Sequence, residues 1–330
     1  MKLFNGKLFF PDDFTVLYAF VNFGEKGYFC GVSFVQYLSY ILDKTKRFFY
    51  MEKIKESEKQ NLYVNSPVEQ RVLEKNGYSI YYFVSGSEEG ETIVFLHPAF
   101  GDHQCFDGQI DYFSRKFRVI TVDMLGHGLS RVGKSKDKIA STAIHVAEIL
   151  DKESIEKAHL IGVSLGSLLA QDFALKYPEK TRSLTVLGGY NINKEQKEVA
   201  KAQRGEMFRW LSKVIFSMDA FRRYAASTTA IVPAAQARFY ESAQSFTRKS
   251  FTVMSGLDKL IADRPDVRRN YPLLLLSGEK DMELAVNQTR QWHEDDTENH
   301  MYIIENAGHC ANMDNPEKFN EILMKFLCDE

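Results

Sequence analysis

The chain has 330 residues and a formal net charge of −2, with 42 basic and 44 acidic side chains. This length allows one large domain or two of moderate size, with enough apolar residues for a sizeable core. A net charge this close to zero gives no sign of a basic surface that could bind nucleic acid. The sequence also contains no low-complexity segment and no periodic repeat. We therefore expect a globular protein that does not bind nucleic acid.

The first 65 residues differ in composition from the rest of the chain. Phe and Tyr occupy fifteen of the first fifty positions, and residues 27–42 form an uncharged run followed by a charged stretch. The run is shorter than the roughly 20 apolar residues that a membrane-spanning helix needs. We predict a helical extension packed on the rest of the protein. Two alternatives stay open: peripheral membrane contact through the aromatic side chains, and self-association.

The cysteines and histidines show no metal-binding or redox pattern. The chain has four cysteines, Cys30, Cys105, Cys310 and Cys328. They lack CxxC spacing, and the eight histidines form no cluster such as HExxH, so we expect reduced thiols, no metal and no cofactor. Asp12 and Asp13 interrupt the first apolar run and no small-residue cleavage site follows, which argues against a secretory signal. We therefore predict a cytoplasmic protein.

From residue 68 onward the chain alternates predicted strands and helices. Residues 68–86 predict a hairpin, in which Asn76-Gly77 supplies the positive φ angles of a type I′ turn. Continuous apolar runs follow, as is typical of parallel strands buried on both faces of a sheet. The predicted strands are 92–97, 117–123, 159–163, 183–188, 272–278 and 301–305.

Helical periodicity separates most of these strands. It is present at 140–152, 165–177 and 316–327. Such an order implies an α/β fold, with a mostly parallel central sheet and helices on both faces. The stretch 191–271 is helical in pattern and has no strand signal, which predicts a helical cap inserted between two core strands. The predicted parts are an N-terminal extension at 1–65, a core at 66–190 and 272–330, and the cap at 191–271.

The sequence Gly-Val-Ser-Leu-Gly at 162–166 lies between a predicted strand and a predicted helix. Chance alone supplies such a short pattern in roughly one chain in ten of this length, so its context decides its meaning. A nucleophile elbow needs a buried strand, a sharp turn and a helix, and all three are predicted here. Gly162 and Gly166 flank the turn where side chains would collide, and the helix N-terminus places positive dipole near Ser164. We therefore predict that Ser164 is a nucleophile.

A serine hydroxyl needs a neighbouring base, which a third group must orient. His309 lies in the loop between the last strand and the last helix, and Asp281 follows the preceding strand. Each is at the carboxyl end of a strand, as Ser164 is, so we predict His309 as the base and Asp281 as the orienting acid. Glu279 and Glu283 lie close enough in sequence to compete for the acid role.

Acyl transfer also develops negative charge on the carbonyl oxygen, which backbone N–H groups must stabilise. One predicted donor is Leu165, the residue after the nucleophile. The other should come from the loop that follows strand 92–97, which reads His-Pro-Ala-Phe-Gly. The sequence therefore predicts an oxyanion hole built from two loops.

Five segments together resemble the α/β-hydrolase superfamily, over about residues 68–328. They are the loop 97–101, the stretch Asp-Met-Leu-Gly-His-Gly-Leu-Ser at 123–130, the elbow at 162–166, Gly-Glu-Lys-Asp at 278–281, and Gly-His at 308–309. The resemblance implies an α/β-hydrolase fold in which the cap selects the substrate. The first loop usually reads His-Gly in this family, whereas Pro98 holds the glycine position here. Since the family pattern puts the donor at the following residue, Ala99 is the second predicted donor, with Phe100 as the fallback.

Departures from relatives within the superfamily narrow the chemistry. Ser164 stands where epoxide hydrolases and haloalkane dehalogenases have aspartate, which argues against both reactions. The run of glycines and proline after the histidine that is typical of proline iminopeptidases is missing here. Asp123 resembles the family's structural acid, which braces neighbouring loops. His97, His103 and His127 are assigned structural hydrogen bonds within their loops.

We therefore expect a serine hydrolase that cleaves an ester, thioester or lactone of a small to medium apolar acyl compound through an acyl-enzyme. Its expected partner is a small-molecule substrate. Acyl transfer, carbon–carbon bond hydrolysis and amide hydrolysis stay open, because the same residues serve all of them. Two further alternatives are a slow-turnover ligand sensor that retains the triad, and a membrane-associated partner-binding protein built around residues 1–65.

Overall fold

The computed structural model describes residues 67–329 except 135, 196 and 265–268, and four short segments nearer the N-terminus, 2–4, 7–9, 28–29 and 32–33. The chain divides into two compact units, Met1–Gln60 and Asn61–Glu330. Among the helices that the structure describes, none is both long enough and apolar enough to cross a membrane.

The N-terminal unit contains two short antiparallel strand pairs. Strand β1 (Lys2–Phe4) pairs with β2 (Lys7–Phe9), and β3 (Tyr28–Phe29) pairs with β4 (Val32–Ser33). At these positions the structure has strands where the sequence predicts a helix. Aromatic residues favour strands, and the Asn5-Gly6 pair between β1 and β2 is a hairpin signal. The rest of the predicted helical extension over 1–65 lies outside the described residues.

The larger unit contains a mostly parallel sheet, as predicted. Its strands are β5 (Glu69–Lys75), β6 (Tyr78–Ser85), β7 (Thr92–Leu96), β8 (Arg118–Val122), β9 (Ala158–Val163), β10 (Thr181–Leu187), β11 (Leu273–Gly278) and β12 (His300–Ile304). They lie in the order β12-β11-β10-β9-β7-β8-β6-β5. Strands β7 to β12 run parallel, whereas β6 is antiparallel to both β5 and β8. The chain therefore goes from β7 to β8 on one side and returns to β9 on the other.

The predicted hairpin of β5 and β6 is confirmed, but its predicted turn type is wrong. Lys75 pairs with Tyr78, and Gly77 has a φ of 92°. Asn76 does not have the positive φ that a type I′ turn also requires. The Gly77 carbonyl accepts the Lys134 N–H at 2.8 Å, so a distant loop helps to set this turn.

The helices lie on both faces of the sheet and in the insertion before β11. They are α1 (Asp107–Phe113), α2 (Thr142–Lys152), α3 (Leu165–Lys176), α4 (Lys197–Phe216), α5 (Met218–Thr229), α6 (Pro233–Ser242), α7 (Glu283–Asp295), α8 (Ala311–Asp314) and α9 (Pro316–Asp329). The three helices predicted at 140–152, 165–177 and 316–327 are confirmed to within about two residues as α2, α3 and α9. No helix is predicted at α1 or α7.

Two apolar clusters hold the helices against the sheet. Every residue of β7, β8, β9 and β11 is buried, which explains their continuous apolar sequences. Val94 of β7 belongs to the cluster with Val146 of α2 and Leu169 of α3. The next residue, Phe95, belongs to the opposite cluster with Phe113 of α1. Alternate side chains of one strand thus serve the two faces.

The insertion between β10 and β11 contains α4, α5 and α6, followed by the 3₁₀ segments Ala243–Ser245, Arg248–Val253 and Leu257–Leu260. Residues 191–271 are called the cap below. Its described residues include no strand, in line with the helical periodicity. Phe221, Phe239 and Phe246 are fully buried in the cap, whereas Ile215 and Phe216 at the end of α4 are exposed. Much of the aromatic pattern of the cap therefore forms its own core.

Candidate active site

Two loops meet where the strand order of the sheet reverses. Strand β7 lies between β8 and β9, and the loop 97–101 follows β7 while Ser164 follows β9. Because β7 and β9 are parallel neighbours, their carboxyl ends open side by side at the same edge. Ligands of open α/β sheets bind in this kind of crevice. The predicted nucleophile and the predicted oxyanion loop are thus brought together.

Ser164 occupies a strained position between β9 and α3. Its φ is 52° and its ψ is −117°, a conformation that residues other than glycine rarely adopt. Its N–H donates to the Leu187 carbonyl at 2.8 Å, and its carbonyl accepts the Ser167 N–H at 2.9 Å. The turn is therefore held from β10 on one side and from α3 on the other.

The glycines beside Ser164 leave space that no larger residue could share. A Cβ on Gly162 would lie 2.3 Å from the Ser167 Cα, and a Cβ on Gly166 would lie 2.0 Å from the Leu96 carbonyl oxygen. Backbone occupies both places, so a side chain at either position would force the turn apart. The glycines that the motif contains are thus required by the packing of α3 against β7 and β9.

Ser164, His309 and Asp281 form one chain of hydrogen bonds. The Ser164 Oγ lies 2.8 Å from the His309 Nε2. The His309 Nδ1 lies 2.9 and 3.0 Å from the two carboxylate oxygens of Asp281. These distances are within the range in which a base can accept the proton of a nucleophile. The arrangement can pass a proton between the serine hydroxyl and the imidazole.

Asp281 is distinguished from its acidic neighbours by its contacts. Its carboxylate is fully buried and also accepts the Met282 N–H at 2.7 Å. Glu279 instead accepts the Asn306 N–H at 3.0 Å, and Glu283 is an exposed residue at the start of α7. Of the three candidates for the acid, the structure brings only Asp281 to His309.

The electrostatics of His309 favour a basic imidazole. Burial on its own lowers the pKa of His309, but the charge and the hydrogen bond of Asp281 outweigh burial and raise the pKa above its ordinary value. A Cβ on Gly188 would lie 3.1 Å from the imidazole ring, so this glycine leaves the ring its space. The ring is thus oriented by Asp281 and accommodated by the turn after β10.

The loop after β7 is shaped by His97. Its Nε2 accepts the Met124 N–H at 3.1 Å, so its Nδ1 carries the proton and donates to the Pro98 carbonyl at 2.9 Å. Burial lowers the pKa of His97 to about 4, which keeps the ring neutral. The Gly101 N–H also donates to the Pro98 carbonyl, at 3.2 Å, and Phe100 between them has a φ of 71°. Pro98 thus supplies the acceptor that closes this turn.

The predicted oxyanion donors lie on the two loops at this edge. Leu165 is the first residue of α3, where N–H groups lack an intrahelical partner. Within residues 67–329, as far as they are described, the N–H groups of Ala99, Phe100 and Leu165 have no hydrogen-bond acceptor. Donors of this kind are available to an incoming carbonyl oxygen. Ala99 and the fallback Phe100 both meet this condition.

Asp123 braces the neighbouring loops, as its resemblance implies. It is fully buried, and one carboxylate oxygen accepts both the N–H and the Nδ1 proton of His103 at 2.9 Å. The other oxygen accepts the Leu129 N–H at 2.7 Å. This carboxylate therefore holds the segment after β8 against the segment after β7.

Sequence reasoning missed Asp314. This buried carboxylate accepts the N–H groups of Gly308, Ile231 and Val232 at 2.8 to 3.1 Å. Gly308 directly precedes His309, whereas Ile231 and Val232 lie in the cap between α5 and α6. We call this set of bonds the Asp314 latch. Its one sequence signal is an acid shortly after His309, and that signal does not reveal partners about eighty residues away.

A second missed acid, Asp102, connects the loop after β7 to the cap. Its N–H donates to the Ser242 Oγ at 2.7 Å, and the same hydroxyl donates to the Asp102 carboxylate at 2.7 Å. Burial, reinforced by the charge of Asp123, raises the pKa of Asp102 to about 6. This contact joins the end of α6 to the residue that follows Gly101.

Phe100 makes aromatic contacts between that loop and the cap. Its ring centroid lies 4.9 Å from those of Trp210 and Phe221, 5.1 Å from that of Phe246 and 6.1 Å from that of Phe251. Most of these pairs are edge-to-face, the arrangement that aromatic rings prefer. The residue after the predicted donor Ala99 is therefore anchored among cap side chains.

A mostly parallel sheet with a serine on a strained strand-to-helix turn defines the α/β-hydrolase class of protein. The sequence profile of the alpha/beta hydrolase fold family matches residues 91–316, more than half of the chain. The chain belongs to the α/β hydrolase fold family. The predicted fold and the predicted class of enzyme, a hydrolase of this fold, are confirmed.

Similar proteins share both sequence and fold with the chain. The (E)-2-((N-methylformamido)methylene)succinate hydrolase of Acinetobacter baylyi is 24% identical over 255 residues, which cover 76% of this chain and 95% of that protein. The 3-oxoadipate enol-lactonase 1 of the same organism is 25% identical, over 78% and 96%. A structure described with the carboxylesterases of Nitrososphaera gargenis has a TM-score of 0.66 at 19% identity, covering 79% of this chain and 98% of that one.

Proposed function

We propose that the protein is a serine hydrolase that cleaves an ester, thioester or lactone of an apolar acyl compound through an acyl-enzyme. The observation that carries the proposal is the hydrogen-bond chain from the Ser164 Oγ through the imidazole of His309 to Asp281, at 2.8 and 2.9 Å. In this proposal Ser164 is the nucleophile, His309 the general base and acid, and Asp281 the group that orients the imidazole.

In the first half-reaction the Ser164 Oγ attacks the substrate carbonyl carbon while its proton moves to the His309 Nε2. Asp281 stabilises the imidazolium, and the N–H groups of Leu165 and Ala99, or of Phe100 in place of Ala99, bind the oxyanion. The tetrahedral intermediate collapses, the bond to the leaving oxygen or sulfur breaks, and the imidazolium protonates the leaving group. The product of this step is an acyl ester of Ser164.

In the second half-reaction water attacks the acyl carbon and gives its proton to the His309 Nε2. The second tetrahedral intermediate collapses, the carboxylic acid leaves, and the proton returns to the Ser164 Oγ. Removing an oxyanion donor typically costs about 3–4 kcal/mol of transition-state stabilisation, so the two loops contribute a substantial part of the rate.

The aromatic cluster around Phe100 supports an apolar acyl group. Phe221, Phe246 and Phe251 pack against the Phe100 ring directly beside the proposed oxyanion donors. Because Phe221 and Phe246 are fully buried, we propose that the acyl group lies against the partly exposed members of this cluster, Trp210 and Phe251. The lactonase named above acts on a cyclic ester, as its name states, and this also supports carbonyl substrates with an oxygen leaving group.

The thiols support a reducing compartment, for which we propose the cytoplasm. Cys105 and Cys310 are buried and free, and Cys328 is exposed and free. Exposed free thiols are typical of proteins in reducing surroundings. Cys30 lies outside the described residues.

The test is hydrolysis of p-nitrophenyl esters of graded acyl length by wild type and by Ser164→Ala. We expect multiple turnovers for wild type and a loss of at least about 10³-fold in kcat for Ser164→Ala, because the nucleophile is removed. The matched control is Ser212→Ala on the exposed face of α4, which should keep the wild-type rate. Full turnover by Ser164→Ala contradicts the proposal.

Labelling with a fluorophosphonate separates two further outcomes. Wild type should be labelled at Ser164, and Ser164→Ala should not. A labelled wild type that releases no more than one equivalent of product from every ester would be a ligand sensor rather than a hydrolase. Transfer of the acyl group to an added alcohol in preference to water would identify an acyltransferase.

A further inference from the structure

The C-terminal part of α4 carries apolar side chains on its outer surface. Phe216, Ile215 and Leu211 are 86%, 66% and 55% exposed. Of the exposed large apolar side chains in the described part of the chain, Phe216 and Ile215 have the highest exposure. Single exposed apolar residues are common on protein surfaces, whereas a cluster of them typically marks an interaction site. We call these three residues the α4 patch.

The inner side of α4 is already packed. Val214 is buried in the aromatic cluster that contains Phe100, and Trp210, one turn earlier, packs against the same cluster. At about 100° per residue, the three residues of the α4 patch lie further round the helix, toward solvent. The helix therefore has an apolar inner side that the cap core covers and an apolar outer side that is exposed. The outer side is available to a partner outside the protein.

The charge of the cap indicates what kind of partner fits. The cap contains 15 basic and 8 acidic side chains, whereas the rest of the chain contains 27 and 36. Arg209 and Lys213 are exposed, and helical geometry puts them on the flank next to Phe216. Arg209 pairs with Glu206, and the Lys213 Nζ lies 5.4 Å from the centroid of the Tyr224 ring, so both cations are held at the surface. An exposed apolar patch on a basic cap fits a partner that is both anionic and apolar.

We infer that the α4 patch inserts into the surface of a lipid bilayer that contains anionic lipids. Three side chains offer on the order of a few hundred Å² of apolar surface, less than the roughly 800 Å² per partner of a stable protein interface. A bilayer does not need such an area, because a few apolar side chains and neighbouring basic groups are enough for peripheral binding. A second copy docked through the same patch would bring two basic caps together, and their like charges would repel.

The same helix links the patch to the proposed acyl site. Trp210 lies on the inner side of α4, and its ring centroid is 4.9 Å from that of Phe100 beside the oxyanion donors. An α-helix with its side chains is about 10 Å wide, so docking through the α4 patch would hold the proposed site about one helix width from the lipid. Apolar acyl compounds are concentrated in bilayers. The inference goes beyond the proposed function and does not depend on chemistry at Ser164.

Vesicle flotation of the full chain tests the inference. Wild type should float with vesicles made of equal parts of phosphatidylcholine and phosphatidylglycerol, and much less with phosphatidylcholine alone. Ile215→Ser combined with Phe216→Ser should lower the partition coefficient to the mixed vesicles at least about 10-fold, because two apolar side chains no longer insert. The matched control is Ile144→Ser combined with Leu175→Ser, which changes two exposed residues of α2 and α3 and should bind as wild type does.

Two further variants separate insertion from attraction by charge. Arg209→Glu combined with Lys213→Glu should lower the partition coefficient to the mixed vesicles about 10-fold or more, and should leave the weak binding to phosphatidylcholine unchanged. Phe216→Trp should show a blue-shifted emission maximum on the mixed vesicles, because the substituted ring leaves water for the apolar boundary of the bilayer. Since Ile215 and Phe216 are exposed, replacing them should leave the melting temperature close to that of wild type.

Three results would overturn the inference. The first is that wild type does not float with the mixed vesicles, and the second is that Ile215→Ser combined with Phe216→Ser floats as well as wild type. The third is a wild-type dimer in analytical ultracentrifugation that the same double variant converts to monomer, because a second copy would then occupy the patch. None of these measurements uses an ester. Failure of Ser164 to react with the fluorophosphonate would overturn the proposed function and leave the vesicle results standing.

Discussion

The two sides of the proposed site are joined to the cap by different kinds of interaction. On the side of His309, the Asp314 carboxylate accepts backbone N–H groups from the cap and from Gly308. On the side of the oxyanion loop, the main contact is the Phe100 ring among cap aromatics, supplemented by Asp102 and Ser242. One side is held by directional hydrogen bonds, the other chiefly by apolar packing.

This difference indicates which side tolerates a change of substrate. Hydrogen bonds fix both distance and angle, so the Asp314 latch leaves His309 little freedom relative to the cap. Apolar packing is not directional, and ring contacts can rearrange around a bound group. We expect the His309 side to stay constant from one substrate to another, and the Phe100 side to adapt to the acyl group.

The largest effect is expected for Phe100→Ala, which empties the centre of the apolar side. Loss of a fully packed phenylalanine should lower the free energy of unfolding by about 4 kcal/mol, measured by urea denaturation. The space created should shift the preference of kcat/KM toward longer acyl chains. Phe173→Ala, which removes a fully buried ring of α3, should cost similar stability and leave the acyl preference unchanged. The same acyl preference in Phe100→Ala and wild type would remove the distinction between the two sides.

A somewhat smaller loss is expected for Asp314→Ala. Three backbone N–H groups lose their acceptor together, which should lower the free energy of unfolding by about 3 kcal/mol. Because His309 is displaced, kcat should fall by about 10- to 100-fold for every ester alike. Asp314→Asn should lie between wild type and Asp314→Ala, since its amide oxygen accepts but its NH₂ group faces a backbone donor. A changed acyl preference in Asp314→Ala would contradict the assignment of selectivity to the Phe100 side.

The smallest effect concerns Asp102, on the Phe100 side, and the pH dependence of the free energy of unfolding. Burial raises the pKa of Asp102 from 3.8 to about 6, so the folded protein holds this proton more tightly than the unfolded chain. The contribution of Asp102 to stability is therefore most favourable below pH 4, falls as the pH rises to about 6, and is constant above. The decline should be roughly 2–3 kcal/mol.

Asp102→Asn removes this titration and keeps an oxygen that can accept from Ser242. Urea denaturation of both proteins between pH 4 and pH 7 measures the difference in the free energy of unfolding. The variant should gain stability relative to wild type as the pH rises through this range. Parallel curves for the two proteins would show that Asp102 does not titrate there.

The parts of the site that the sequence predicts are those encoded locally. Ser164, Asp281 and His309 each follow a strongly apolar strand, and parallel strands bring their carboxyl ends to one edge whatever the rest of the fold does. Asp314 and Asp102 could not be found in this way. Val232 is 82 positions from Asp314 and Ser242 is 140 positions from Asp102 along the chain, and no local pattern specifies such pairs.

Other differences have the same origin in long-range packing. The helical spacing of aromatic residues in the cap does not indicate whether they line a pocket or fill a core. In the structure, Phe221 and Phe246 pack against Phe100 as part of a core. The turn at Asn76-Gly77 is not of type I′, and the Lys134 N–H from a distant loop donates a hydrogen bond to the Gly77 carbonyl there.

The proposed nucleophile and its base are far apart along the chain, and this has a consequence for biosynthesis. The Ser164 Oγ and the His309 Nε2 belong to residues 145 positions apart, with the whole cap between them in the chain. The elbow and its strands are translated well before the loop that carries His309. A chain that stalls or is cleaved before residue 309 would therefore display a complete elbow with an unactivated hydroxyl. Chemistry at Ser164 would begin only after the cap and residue 309 have been made.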